Sequence, residues 1–258
     1  MIRVRKRFGQ HFLHDQAVLQ RIVEAVDPRP GQHLVEIGPG AGALTARLLG
    51  RIDSLDAIEI DRDLAAALHA RWPTQVRLHS GDALEFDFAA LAAQRGGPLR
   101  LVGNLPYNIS TPLLFHFLQY RHCMVDLHVM LQKEVIDRMA AAPGAEAYGR
   151  LTVMLAPWLR IEKLFDVGPG AFQPPPRVWS ALARLTVLGE PRFAVSDQYA
   201  AIVAQAFSQR RKTLRNSLRG RIADSGWQAA GVDPGARPET LTPEQFAALA
   251  ALAVPAAL

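Results

Sequence analysis

The chain has 258 residues, of which 49% are hydrophobic and 21% charged, with a formal net charge of +5; this is the composition of a globular protein with one large domain, or a large and a small one. No unbroken apolar run is long enough to span a bilayer, and the basic N-terminus MIRVRKRFGQHFL lacks the apolar stretch and cleavage site of a signal peptide, so a cytoplasmic protein is expected. Cys123 is the single cysteine, which excludes an internal disulfide and a thiolate metal cluster, and no histidine pair has ligand spacing, so no metal site is expected.

The N-terminal arm carries Arg3, Arg5, Lys6 and Arg7 without an acid. Asp15 is placed to cap a helix running to Val26. From about residue 32 to 130, short apolar runs alternate with helical patterns. The strand candidates are His33–Ile37, Ala57–Ile60, Val76–His79, Leu99–Val102 and Val125–Leu131. Between them, Ala43–Leu49, Asp63–Arg71, Ala83–Ala93 and Thr111–Tyr120 read as helices. Repeated βα units predict an α/β fold, a Rossmann-like, doubly wound and mostly parallel sheet with helices on both faces. Further on, Lys133–Ala141 and Arg150–Leu159 look helical, and Leu164–Val167 and Ala181–Val187 extended. The stretch LGEPRFAVS, 188–196, has the Gly and Pro of a linker. Only helical patterns follow: Tyr199–Phe207, Arg211–Leu218, and Pro243–Ala251 with Thr242 as its cap. A catalytic domain over 1–189 and a small all-α domain over 190–258 are expected.

Residues 208–221, SQRRKTLRNSLRGR, carry Arg210, Arg211, Lys212, Arg215, Arg219 and Arg221 with no acid. Without these and the four N-terminal cations, 19 basic residues face 24 acidic ones. A mildly acidic body with two basic segments suits a polyanionic partner, because clustered Lys and Arg displace counterions from phosphate backbones.

The segment LVEIGPGAGALT places Gly38, Gly40 and Gly42 between the first strand of the sheet and its helix, where open α/β sheets bind ligands. Glu59 ends the next strand, where an acid accepts from ribose hydroxyls. Asp82 follows the third, where a carboxylate accepts from an adenine amine. The glycine spacing is GxGxG and not the dinucleotide GxGxxG. Glu36 adds a further carboxylate, which suits a sulfonium cation better than a pyrophosphate. S-adenosylmethionine (SAM) is therefore expected over NAD.

GNLPYN, residues 103–108, then falls at the carboxyl end of the fourth strand. The lone pair of an exocyclic adenine amine is delocalised into the ring, and acceptors on its two N–H groups free it for attack. The side-chain carbonyl of Asn104 and the main-chain carbonyl of Leu105 or Pro106 are candidates. Pro106 stiffens the turn, and Tyr107 offers a stacking face. Phe172, in GAFQPPPRVWS, is either a core residue anchoring its loop or a second stacking face over the base.

Taken together, RKRFGQHFL, VEIGPGAGALT, EID, GDAL, GNLPYNISTPLLF, MLQKEV, YGRL, FQPPPRV and AFSQRRKTLRNSL resemble the KsgA (or RsmA) family of ribosomal RNA adenine dimethyltransferases over nearly the whole chain. The resemblance implies SAM-dependent transfer of four methyls to N6 of two adjacent adenosines, in a hairpin loop near the 3′ end of small-subunit rRNA, and a role late in subunit assembly. It implies SAM contacts at His11, Leu13, Gly38, Glu59, Asp82 and Asn104, a catalytic turn of Asn104, Leu105, Pro106 and Tyr107, and Phe172 as the target-base aromatic. The family usually has Asn where His11 stands. RNA contacts are expected from Arg5, Lys6, Arg7, Arg210, Arg211, Lys212 and Arg215, with the protein acting as a monomer. The alternatives are a DNA or large-subunit rRNA adenine methyltransferase, and an assembly factor whose binding outweighs its catalysis.

Overall fold

The computed structural model describes residues 11–209 and 211–254; Arg3, Arg5, Lys6, Arg7 and Arg210 lie outside the described residues. The elements in chain order are β1 (Phe12–Leu13), α1 (Gln16–Val26), β2 (His33–Ile37), α2 (Ala43–Leu48), β3 (Leu55–Glu59), α3 (Arg62–Arg71), β4 (Val76–Ser80), α4 (Phe88–Arg95), β5 (Leu99–Asn104), α5 (Ser110–Gln119), β6 (Met124–Gln132), α6 (Lys133–Met139), α7 (Arg150–Leu155), β7 (Leu159–Val167), β8 (Phe172–Gln173), β9 (Ser180–Val187), α8 (Tyr199–Ala206), α9 (Leu214–Ser217), α10 (Asp224–Ala229) and α11 (Pro243–Ala251). They divide into two compact units. One runs to Ile136 and adds Ile161–Val187; the other takes Asp137–Arg160 and everything from Leu188.

In the first unit a seven-stranded sheet has the order β4-β3-β2-β5-β6-β9-β7. The first five strands are parallel, and β9 is antiparallel to β6. Strand order reverses at β2, between β3 and β5, so the loops leaving β2 and β5 flank the crevice in which such sheets bind ligands. Every residue of β3 is buried, as a parallel strand covered on both faces requires. Asp15 Oδ1 accepts from the Ala17 and Val18 N–H groups at 2.9 and 3.0 Å, supplying the cap that α1 needs. Leu19, Ile22, Val23 and Val26 form its buried face at helical spacing.

Several boundaries differ from the sequence expectation, three of them for clear local reasons. The helix expected from Ala83 starts at Phe88, because Asp82 first closes a turn through Leu84 N–H (2.9 Å) and Asp87 then caps α4 through Ala90 N–H (3.0 Å). The helix expected to reach Leu159 stops at Leu155, two residues before Pro157, which has no N–H to continue the ladder. The extended segment expected over Leu164–Val167 consequently begins at Leu159. The two-residue ribbon β1–β8 joins positions far apart in the chain, pairing Leu13 with Phe172, and no local pattern announces it.

The second unit is helical but does not begin at residue 190. Tyr148 and Val153 share its core with Tyr199, Ile202, Leu214, Trp227 and Phe246. The Tyr148 hydroxyl donates to Leu241 O (2.7 Å), and that of Tyr199 to Val153 O (2.9 Å). The 188–196 stretch is likewise no free linker, since Leu188 N–H donates to Trp158 O and Arg192 N–H to Pro157 O. The basic helix expected over Arg211–Leu218 contracts to one turn, Leu214–Ser217. The Leu214 and Arg215 N–H groups are taken by the carbonyls of Ala236 and Pro234. At α11 the Thr242 cap is as expected, with Gln245 completing a capping box. No helix among the described residues is long and apolar enough to cross a membrane.

Candidate active site

The loop after β2 turns sharply into α2. Gly42 has φ 77, and a Cβ there would lie 2.6 Å from the Trp72 ring, so both backbone and space require glycine. Glu59, at the end of β3, ties this loop down. Its Oε2 accepts from Gly40 N–H at 3.0 Å and its Oε1 from Asp61 N–H at 2.9 Å. Burial raises the Glu59 pKa, against the opposing effect of those backbone hydrogen bonds. Glu36 on β2 is 2% exposed and accepts from the Thr45 hydroxyl at 2.6 Å. Burial pushes its pKa up to about 7, with the Thr45 hydrogen bond opposing and the Glu59 charge adding. Of Asp82, Oδ1 accepts from Leu84 N–H, leaving Oδ2 for a ligand.

These carboxyls line one cavity of about 300 Å³, together with Gly38, Leu13, Ile60 and the turn after β5. Among the described residues, the lining holds three carboxyls and neither Lys nor Arg. Three carboxyls are unfavourable neighbours for a pyrophosphate and match a cationic ligand. The residues present therefore fit SAM, whose sulfonium is a cation and whose adenosine offers donors to carboxylates. Ile60, 44% exposed, adds an apolar side chain to the lining that sequence reasoning overlooked; its position directly after Glu59 was the available signal.

The turn is built by β5. A Cβ at Gly103 would stand 2.6 Å from Ile37 O, so glycine lets β5 lie against β2 there. Asn104 follows, and its Nδ2 donates to the His11 carbonyl at 2.8 Å. Leu105 N–H donates to Met130 O (3.0 Å), and the Leu105 side chain is 1% exposed. Pro106 O accepts from Ile109 N–H. The Tyr107 hydroxyl is 2.5 Å from Ser180 Oγ, and burial raises its pKa. The His11 ring stacks on Tyr107 with centroids 5.6 Å apart and its Nδ1 donates to Pro174 O at 2.8 Å. Asn104, Leu105, Pro106, Tyr107, His11, Leu13, Gly38, Glu59 and Asp82 thus line one cavity.

A family model described as ribosomal RNA adenine dimethylase matches residues 1–253. The chain belongs to that family. Ribosomal RNA small subunit methyltransferase A of Acinetobacter baylyi is 54% identical over 98% of this chain and 93% of its own length. The protein of the same description from Pseudomonas aeruginosa is 52% identical over 96% and 94%. Among solved structures, a dimethyladenosine transferase from Plasmodium falciparum shares the fold with a TM-score of 0.77, 23% identity, and coverage of 94% of this chain and 99% of its own. The 23S rRNA methyltransferase ErmE gives 0.70 at 28% identity, covering 93% and 98%. The chain is a Rossmann-like, SAM-dependent rRNA adenine methyltransferase.

Phe172 is where the dimethylase departs from expectation. Its ring is 1% exposed and packs in the core cluster with Leu13, Leu19, Ile22 and Met130. Strand pairing with Leu13 directs it inward, so it anchors the loop and has no face to offer a base. Sequence reasoning also missed His128 on the cavity floor. Its Nε2 accepts from Arg184 Nε at 3.0 Å, while Nδ1 has no hydrogen-bond partner, and burial lowers its pKa to about 4. In the helical unit of the dimethylase, Arg211, Lys212 and Arg215 are exposed. Arg221 is not: it is 7% exposed and holds Val254 O, Gln205 Oε1 and Gln198 Oε1, which makes it a structural cation.

Proposed function

We propose that this dimethylase transfers methyl groups to N6 of two adjacent adenosines, in a hairpin loop near the 3′ end of small-subunit rRNA within an assembling particle. The observation that carries the reading is the committed amide of Asn104. With Nδ2 donating to His11 O, Oδ1 is the atom left to accept from the target amine. The second acceptor is the main-chain carbonyl of Leu105 or of Pro106, the latter already accepting from Ile109 N–H. Two acceptors on the two N–H groups favour a pyramidal nitrogen and release its lone pair. Tyr107 holds the base by stacking, worth about 1–3 kcal/mol in comparable single-strand sites. Bound SAM supplies an electrophilic methyl group.

The residues of the chain act by positioning and by electrostatics. No strong base is needed first, because the alkylated amine is acidic and loses its proton readily. The target adenosine must be unstacked, or already in a loop, to reach Tyr107. Arg211, Lys212 and Arg215 supply phosphate contacts, and the protein works as a cytoplasmic monomer on the small subunit. The names of the curated relatives support a small-subunit substrate. Labelled methyl groups from SAM, mapped onto unmethylated small subunits, test this: label is expected on two adjacent adenosines, and label in large-subunit rRNA or DNA instead overturns it.

A further inference from the structure

Among the described residues, the large hydrophobic side chains left exposed are Ile60, Val125, Val178, Trp179, Leu252 and Val254. Trp179, 56% exposed, is the aromatic among them, and Val178 beside it is 41% exposed. Leaving more than half of a tryptophan in water forfeits much of the burial that usually secures such a side chain. Yet Trp179 is not loosely held. Its carbonyl accepts from Lys133 N–H at 2.9 Å, and its ring edge lies 3.7 Å from where a Cβ at Gly168 would stand. Three prolines, Pro174 to Pro176, stiffen the approach to it.

The position of this ring suggests its use. The next residue, Ser180, is fully buried and bonds the Tyr107 hydroxyl. Ser180 also pairs with Gln132 at the carboxyl end of β6, on the sheet edge that carries the catalytic turn. Trp179 thus directly precedes, in the chain, the residue that holds the Tyr107 hydroxyl, and its backbone lies at the same end of the sheet as the catalytic turn. The segment from Gly168 to Ser180 contains Arg177 and no acid, and Arg177 is exposed.

The geometry points to Trp179, with Arg177, as a second RNA subsite that stacks an unpaired nucleobase next to the target adenosine and contacts its phosphate. This rests on the reading that Tyr107 receives the target base. A rigid aromatic plane beside a cation is the combination that binds single-stranded nucleic acid without demanding a particular base. It would hold the splayed loop open while the adenosine occupies the turn.

The test uses the full-length enzyme, unmethylated small subunits and labelled SAM. Trp179→Ala is expected to raise KM for the subunit by about 5- to 150-fold, the range that base stacking covers, with kcat at saturating subunit and SAM affinity little changed. Trp179→Phe, which keeps a ring, should restore most of the loss. A photoreactive p-benzoylphenylalanine replacing Trp179 should crosslink to a nucleotide flanking the methylated adenosines. An unchanged KM for Trp179→Ala, or a crosslink to a ribosomal protein or to remote RNA, overturns the proposal while leaving the adenosine reading in place. A wild-type enzyme that leaves small-subunit rRNA unlabelled overturns that reading, and the subsite with it.

Discussion

Asn104 and His11 are joined by a 2.8 Å hydrogen bond from the Asn104 amide nitrogen to the His11 main-chain oxygen, across 93 positions of sequence. The bond sets which way the amide faces, and its acceptor is backbone. The change from the family's usual Asn to His11 therefore leaves this bond intact and adds a ring against Tyr107. Asn104→Ala removes the proposed amine acceptor, and kcat for methyl transfer should fall at least about 100-fold, the scale of one lost transition-state hydrogen bond. Binding to small subunits, measured separately, should remain.

Phe172 gives a prediction that separates core from catalysis. Because its ring is buried, Phe172→Ala should destabilise the protein by about 3–5 kcal/mol through the cavity it leaves, read from denaturant midpoints. Phe172→Leu refills most of that space and should keep kcat within about tenfold. A stacking role would make both variants equally inactive while both remained folded.

Glu36 makes the ligand-free protein pH-sensitive. Its folded pKa of about 7 lies above the ordinary 4.5, so its contribution to stability is complete below pH 4.5 and is lost as pH rises through 7. His128 acts oppositely, since its pKa is depressed to about 4 and stability falls as pH drops from 6.5 through 4. The difference between wild type and Glu36→Gln cancels the His128 effect. That difference should grow from pH 5 to pH 8 in favour of Glu36→Gln, by up to ~3 kcal/mol at the conversion of about 1.4 kcal/mol per pH unit. SAM affinity should behave in the reverse sense, rising with pH through 7 in wild type as the carboxylate forms, and staying flat in Glu36→Gln. Calorimetric titration across that range checks both trends.

Asp56 on β3 is the electrostatic anchor that ties this strand to the edge strand β4 and to α4. It is 1% exposed and is bonded by Arg95 at 2.6 and 2.9 Å and by His79 at 2.8 Å. Burial alone would raise its pKa, but the His79 and Arg95 hydrogen bonds outweigh burial and bring it down to about 2. Its contribution is present above pH 3.8 and lost as pH falls through 2. Asp56→Asn should cost about 3–5 kcal/mol at neutral pH, because it strands a partly buried arginine; the midpoint of urea unfolding reads the loss.

The basic segment divides into two roles that mutation can separate. Replacing Arg211, Lys212 and Arg215 with Gln should weaken binding to small subunits and flatten its salt dependence, by roughly 0.7–0.9 in log–log slope for each phosphate no longer neutralised, without lowering thermal stability. Arg221→Gln should do the reverse. It vacates a buried guanidinium site with three partners, so melting temperature should drop while the salt slope stays the same.

Much of the fold was legible because its cues are local. The Asp15 and Thr242 caps, the apolar spacing of α1, the continuous run of β3 and the glycines after β2 each depend on residues within a few positions of one another. The same holds for the membership of the site: Glu36, Gly38, Glu59, Asp82 and Asn104 all end parallel strands or follow them directly, and a parallel sheet brings those ends to one edge. Helix extents failed where a second cap or a proline competed, at Asp87 and Pro157.

The amino-acid sequence by itself determined the α/β class, the alternation of strands and helices in the sheet, and which carboxylates and which turn lie at the carboxyl ends of its strands. Only the tertiary structure decided what depends on distant partners. It paired Leu13 with Phe172 and so turned Phe172 inward, oriented the Asn104 amide through His11, committed Arg221 to the helical core, and moved Asp137–Arg160 into the second unit. The physical reason is the same in each case. Strand, cap and turn preferences are set by neighbours along the chain, whereas burial and hydrogen-bond partners are set by residues that meet only after the chain has folded.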